Sequence, residues 1–131
     1  MRATNILMWI PIVALTFIAT GCSTTSIYEK ANRLQQDGKY GEAGELWLTD
    51  AKAKLEKREF SSYEFNEAAK SFDRDPKRSS DALSARKLAA VRAMKEAEYF
   101  ESKFDYSSAS ISYDNAADIY KNPIGSIKDL D

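Results

Sequence analysis

The chain has 131 residues, enough for one domain or a short stack of repeats, and its 19 Lys and Arg residues almost balance its 20 Asp and Glu residues. A net charge of −1 offers no general attraction to nucleic acid, so no nucleic-acid partner is expected. Histidine is absent and Cys22 is the only cysteine, which excludes His-based nucleophilic catalysis and an internal disulfide and argues against a four-ligand zinc site. We therefore expect neither a metal nor a cofactor.

The first 21 residues have the three-part pattern of a secretory signal peptide. Arg2 precedes an uncharged stretch at residues 6–18, and small residues follow. That stretch is shorter than the roughly 20 residues of a membrane-spanning helix, and Pro11 interrupts it. We expect a signal peptide that is removed, with a spanning anchor as the alternative.

Ala19-Thr20-Gly21-Cys22 resembles the lipobox of bacterial lipoproteins, with Ala19 where that family usually has Leu, Val or Ile. The resemblance implies cleavage before Cys22 and acylation of its thiol, so that a lipid bilayer is one partner of the protein. Two or more acyl chains give firm anchoring. In a Gram-negative source, Ser23 implies the periplasmic side of the outer membrane. Ordinary cleavage that leaves a free thiol is the alternative.

Residues 22–26 then form the lipidated cysteine and a short tether. The four residues that follow Cys22, from Ser23 to Ser26, span at most about 14 Å when extended. We therefore expect the folded part to lie close to the membrane.

Abundant alanine and scarce Gly and Pro predict an all-α fold beyond the tether. Gly38 supplies a left-handed stop after the first helix, and Pro76 separates the third helix from the fourth. The predicted helical domain covers residues 27–121, and residues 122–131 form a C-terminal tail. The five predicted helices span about 26–37, 40–57, 60–73, 80–103 and 106–121.

Two stretches, Ala31 to Ala51 and Ala97 to Ala116, share an order of small residue, large residue, turn, Tyr, Ala and aromatic residue. The pattern resembles the tetratricopeptide repeat, a helix-turn-helix unit of about 34 residues. Phe104 stands in the second turn where the family usually has Gly. The resemblance implies helical hairpins stacked as a short solenoid, and an irregular five-helix bundle is the alternative. Aromatic residues are expected to fill gaps between the hairpins: Tyr40, Trp47, Tyr106 and Tyr113.

In tetratricopeptide proteins the first helices of successive units line a groove that binds peptides or partner helices. The resemblance implies that the partner-binding residues lie on the first and fourth predicted helices. These residues are Tyr28, Asn32, Gln35, Gln36, Met94, Glu98 and Glu101. A basic cluster near the fourth helix, which includes Arg78, Arg86, Arg92 and Lys95, is interpreted as a solvated surface interleaved with acids. Anionic lipid headgroups or an acidic partner are the alternatives.

No pair of carboxylates stands out as catalytic, and no phosphate-binding loop is present in the sequence, so we expect no enzymatic activity and assign no catalytic residue. The sequence favours a lipid-anchored periplasmic scaffold or adaptor that binds another envelope protein or peptide. One alternative is a structural or surface-exclusion lipoprotein without a groove ligand. Another is a small cell-wall hydrolase that uses carboxylates.

Overall fold

The computed structural model describes residues 26–121 and is all-helical over that range. The predicted signal peptide, Cys22 and the tail at residues 122–131 lie outside the described residues. The prediction of an all-α fold is confirmed. A 3₁₀ turn at Pro76–Arg78 precedes the fourth of five α-helices. These are α1 (Ile27–Gln36), α2 (Tyr40–Glu56), α3 (Ser62–Asp73), α4 (Ser79–Ser102) and α5 (Tyr106–Lys121).

Three of the helices end in the same way. Gly38 after α1, Arg58 after α2 and Phe104 after α4 have φ angles of +74°, +59° and +60°. In each turn the amides of this residue and of the next donate hydrogen bonds to carbonyls of the last helical turn. The predicted stop at Gly38 is confirmed, whereas Arg58 and Phe104 hold a left-handed conformation that favours glycine.

Phe104 should therefore destabilise the fold slightly. The left-handed conformation costs a residue with a Cβ about 1 kcal/mol, and the Phe104 side chain is 79% exposed, so little packing would be lost with it. We expect Phe104→Gly to raise the free energy of unfolding by about 0.5–1 kcal/mol in urea denaturation. Gly38→Ala is the matched control and should lower it by a similar amount, because only backbone strain is added there. An unchanged or lower stability of Phe104→Gly would contradict this assignment.

Successive helices pack side by side in opposite directions. The start of α3 lies against the late part of α4, where Glu96 accepts hydrogen bonds from the Ser61 and Ser62 amides. The end of α3 lies against the early part of α4, where Asp73 Oδ2 and Arg86 Nη2 are 2.6 Å apart. This pairing, with the short connections between helices, makes neighbouring helices antiparallel.

Contacts also join helices that are two apart in the chain. Gln35 of α1 donates to Ser71 Oγ of α3 at 2.9 Å, and Ile119 of α5 packs against a cluster that contains Phe65 of α3. Because α1, α3 and α5 run in one direction, the first turn of α1 and the loops at residues 57–61 and 103–105 point towards one end of the domain. We call this the tether end, since the chain enters the fold there.

The core is built from small side chains. Thirteen of the sixteen buried apolar residues described are alanines, and the three large ones are Trp47, Phe65 and Phe72. At the closest approach of α2 and α3, a Cβ on Gly44 would lie 2.5 Å from Cε1 of Phe72. Small residues therefore let neighbouring helices approach closely. The expectation that Tyr106 fills a gap between hairpins is wrong, because its side chain is 62% exposed.

Helix α5 begins with an aspartate cap. The carboxylate of Asp105 accepts hydrogen bonds from the Ser108 hydroxyl at 2.7 Å and from the Ser108 amide at 3.2 Å. These two bonds, the hydroxyl bond foremost, lower the pKa of Asp105 below its ordinary value. Ionised Asp105 therefore contributes stability above its unfolded pKa of about 3.9, and this contribution disappears as the pH falls through the folded pKa.

We accordingly expect Asp105→Asn to be less stable than the wild type at pH 7, with the difference shrinking as the pH falls below about 4. Urea denaturation of both proteins at a series of pH values measures the difference between their free energies of unfolding. The contributions of the other carboxylates are the same in both proteins and cancel in this difference. A difference that is independent of pH would contradict the assigned role of the charge.

Candidate interaction surfaces

Helix α4 has one face in the core and one face towards solvent. The core face consists of Ala82, Ala85, Ala89, Ala90, Ala93 and Ala97. On the opposite side Leu88, Val91 and Met94 follow one another at three-residue spacing and are 40%, 43% and 39% exposed. Glu98 and Glu101, both exposed, continue this row towards the tether end. We call these five residues the α4 outer face.

The residues predicted on α1 lie elsewhere. The exposed ring of Tyr28 stands edge-on to Trp47 at 6.1 Å, and Asn32 is half-buried. Gln35 is committed to its hydrogen bond with Ser71, and Gln36 is exposed at the end of the helix. Among residues 26–121, no hydrogen bond, ion pair or aromatic contact joins these four residues to Met94, Glu98 or Glu101.

The seven predicted partner-binding residues thus form two groups rather than the two walls of one groove. The reason is that α1 packs chiefly on α2 and also contacts α3, whereas α4 packs on α3 and α5. The three predicted residues of α4 share a single face, because positions 94, 98 and 101 are four and seven residues apart.

A cavity of about 440 Å³ lies between α3 and α5. Its lining residues are Ser62, Tyr63, Asn66 and Lys70 of α3, Asn115, Asp118 and Ile119 of α5, and Arg86 of α4. The sequence did not predict this cavity, because no pattern along the chain indicates that α3 and α5 are neighbours.

The ion pair of Arg86 with Asp73 is mostly buried beside this cavity. Burial raises the pKa of Asp73 and lowers that of Arg86, and in both cases the charge of the other residue opposes the shift. Each charge therefore offsets part of the cost of burying the other. We regard the pair as a structural element of the α3–α4 contact.

The predicted basic cluster does not form one surface. Arg78 forms ion pairs with Glu45 and Asp81, and Arg86 is held by Asp73. The expected pairing with acids is found for both arginines, but the expectation of a solvated surface is wrong for Arg86, whose side chain is 13% exposed.

Aromatic side chains gather at the tether end. Phe60, Tyr99, Phe104 and Tyr106 are each about half exposed or more, and we call these four residues the aromatic end surface. The rings of Phe60 and Tyr99 are 5.5 Å apart, and those of Phe104 and Tyr106 are 6.3 Å apart. Lys103 Nζ lies 5.8 Å from the ring centre of Tyr99, and Lys103 directly precedes Phe104 in the chain.

Comparison of the chain with protein families, curated proteins and solved structures gave no significant match. In the part of the chain that the structure describes, no helix is long and apolar enough to cross a membrane. No group of three or more potential metal-ligating residues occurs within residues 26–121. Within residues 26–121, the α4 outer face, the α3–α5 cavity and the aromatic end surface are candidate interaction surfaces.

Proposed function

We propose that this protein is a lipid-anchored adaptor of the bacterial cell envelope that binds another envelope protein through the α4 outer face. The lipobox resemblance at Cys22 supports the anchor and, with Ser23, the periplasmic side of the outer membrane. The single observation that carries the adaptor function is the row of Leu88, Val91 and Met94 on the solvent side of α4, the longest helix within residues 26–121.

This aliphatic row is not required by the core. The buried alanines of α4 form its core face, and Leu88, Val91 and Met94 stand on the opposite side. Single exposed apolar residues are ordinary, whereas a row on successive helical turns suits a partner helix or an apolar groove. A methionine at the end of such a row adapts readily to a partner surface.

The acidic end of the α4 outer face specifies the partner further. Glu98 and Glu101 follow the aliphatic row directly and are exposed. Charged groups at the rim of an interface favour a partner with the opposite charge. The partner surface is therefore apolar over about two helical turns, with Lys or Arg next to it.

Site-specific photo-crosslinking in the native host tests this surface. A photoreactive residue at Val91 should yield one discrete adduct, and charge reversal by Glu98→Lys with Glu101→Lys should diminish it. Ile111 of α5 is the control position, since it is another β-branched aliphatic residue on a helix and is also exposed. Equal adducts at both positions, or none at either, would favour the structural or surface-exclusion alternative.

The anchor has its own test. We expect the wild-type protein to fractionate with membranes and to carry an added mass on Cys22, because two or more acyl chains bind a bilayer firmly. Cys22→Ser should yield a soluble or uncleaved form. Ser23→Asp is the control, as it keeps the acylated cysteine and, by the resemblance, should move the protein to the inner membrane of a Gram-negative host. An unmodified Cys22 in protein recovered from the aqueous fraction would overturn the anchor.

A further inference from the structure

We infer that the aromatic end surface rests in the headgroup region of the bilayer that holds Cys22, which gives the domain a fixed orientation on the membrane. This inference rests on the proposed lipid anchor. It adds a second point of attachment made by Phe60, Tyr99, Phe104 and Tyr106, and it leaves the aliphatic row of α4 further from the bilayer.

The position of the chain entry supports this orientation. Ser26 caps α1 by accepting a hydrogen bond from the Glu29 amide, and only the four residues Ser23 to Ser26 separate Cys22 from α1. These residues reach at most about 14 Å. The first turn of α1 and the loops at residues 57–61 and 103–105 point towards the same end. The loop tips are therefore the parts of the fold that a nearby bilayer would meet.

The turn residues with a positive φ angle are strained at the tether end, whereas the one at the opposite end is not. At the opposite end the left-handed turn residue is Gly38, which adopts a positive φ without cost. At the tether end the same position holds Arg58 in one loop and Phe104 in the other. Phe104 combines a strained backbone with a side chain that is 79% exposed, so folding of the domain gains little from this ring. A lipid interface would bury this ring.

The chemistry of the surface suits a lipid headgroup region. Tyr99 and Tyr106 combine an aromatic body with a hydroxyl group, a combination that is enriched at membrane–water boundaries. Phe104 at the loop tip can enter the upper acyl region, because burial of an aromatic side chain is favourable.

Charge contributes little to this contact. The two loops at this end carry three bases, Lys57, Arg58 and Lys103, against two acids, Glu59 and Asp105. On the neighbouring part of α4, Lys95 is accompanied by the exposed Glu98 and Glu101, so the charges balance. The surface therefore does not select anionic lipids. We expect the contact with zwitterionic vesicles to be nearly independent of salt.

Tryptophan fluorescence of the mature acylated protein, which begins at Cys22 and lacks Trp9, tests the orientation in phosphatidylcholine vesicles. Phe104→Trp and Tyr120→Trp are compared, because Tyr120 is 60% exposed near the other end of α5 and serves as a matched control. Brominated acyl chains should quench the residue-104 reporter at least twofold more than the residue-120 reporter. Trp47 contributes the same background to both variants.

Only protein that floats with the vesicles is measured, so the two proposals can fail separately. Protein that does not float would overturn the lipid anchor and this inference with it. Floating protein with equal quenching of both reporters would overturn the orientation alone. A blue shift of the residue-104 reporter without quenching by brominated lipid would also overturn it, because the surface would then be covered by a second copy or another protein.

Discussion

Replacing Phe72 by alanine should lower the free energy of unfolding by about 3–5 kcal/mol. Phe72 is 0% exposed and is one of three large apolar side chains in the core described above. Its ring packs against Gly44, and the guanidinium carbon of Arg78 lies 4.5 Å from the ring centre. Trp47 is the only other large buried member of its cluster, and the remaining buried members are alanines, which are too short to refill the space. Because small domains are stable by only about 5–15 kcal/mol, urea denaturation followed by circular dichroism should show a large shift.

Two variants separate this core effect from a general effect of losing an aromatic ring. Phe104→Ala makes the same truncation at an exposed site and should change stability by less than about 0.5 kcal/mol. Gly44→Ala places a Cβ 2.5 Å from Cε1 of Phe72 and should cost about 1–3 kcal/mol in the wild type. In the Phe72→Ala background that cost should vanish. Similar losses for Phe72→Ala and Phe104→Ala would show that Phe72 is not a core residue.

Glu96→Ala should destabilise the fold by about 2–3 kcal/mol, because it leaves two backbone amides without an acceptor. Oε1 of Glu96 accepts hydrogen bonds from the Ser61 and Ser62 amides, each at 3.0 Å, and Oε2 accepts one from the Ser62 hydroxyl. Helix α3 has no side-chain cap of its own at Ser61, so a carboxylate from α4 satisfies its first amides. Urea denaturation measures the loss, and hydrogen exchange at Ser61 and Ser62 should accelerate.

The neighbouring Glu98 offers the control. It lies half a helical turn from Glu96, is exposed and makes no hydrogen bond or ion pair within residues 26–121. Glu98→Ala should therefore stay within about 0.5 kcal/mol of the wild type. Glu96→Gln keeps a hydrogen-bond acceptor without the charge. Its free energy of unfolding should lie between those of Glu96→Ala and Glu98→Ala. Equal stability of Glu96→Ala and Glu98→Ala would contradict the capping role.

Helix positions could be predicted because they depend on interactions between residues close in the chain. Helical hydrogen bonds join residues four apart, so the spacing of alanines, the stop at Gly38 and the break at Pro76 are all visible in the sequence. The structure confirms an all-helical fold from Ile27 to Lys121. The tetratricopeptide-like solenoid stays a prediction, as does acylation of Cys22.

The candidate surfaces were predicted only in part. Met94, Glu98 and Glu101 share a face because helical periodicity places them there. Their predicted partners on α1 lie on another surface, since the sequence repeat does not specify which helices become neighbours. The aromatic end surface was not predicted: Tyr106 was expected to fill a gap between hairpins, and helical spacing does not show which loops meet at one end.

The sequence by itself determined the elements, their ends and their alanine faces, because propensity, capping and periodicity act over a few residues. Only the tertiary structure decided that Glu96 caps α3, that Arg86 pairs with Asp73 and that Phe104 takes a left-handed turn at the tether end. Each of these features requires residues far apart in the chain to meet, or requires packing to hold a backbone conformation against its local preference. Such interactions depend on which helix faces lie together in the fold, and helical spacing carries no information about that.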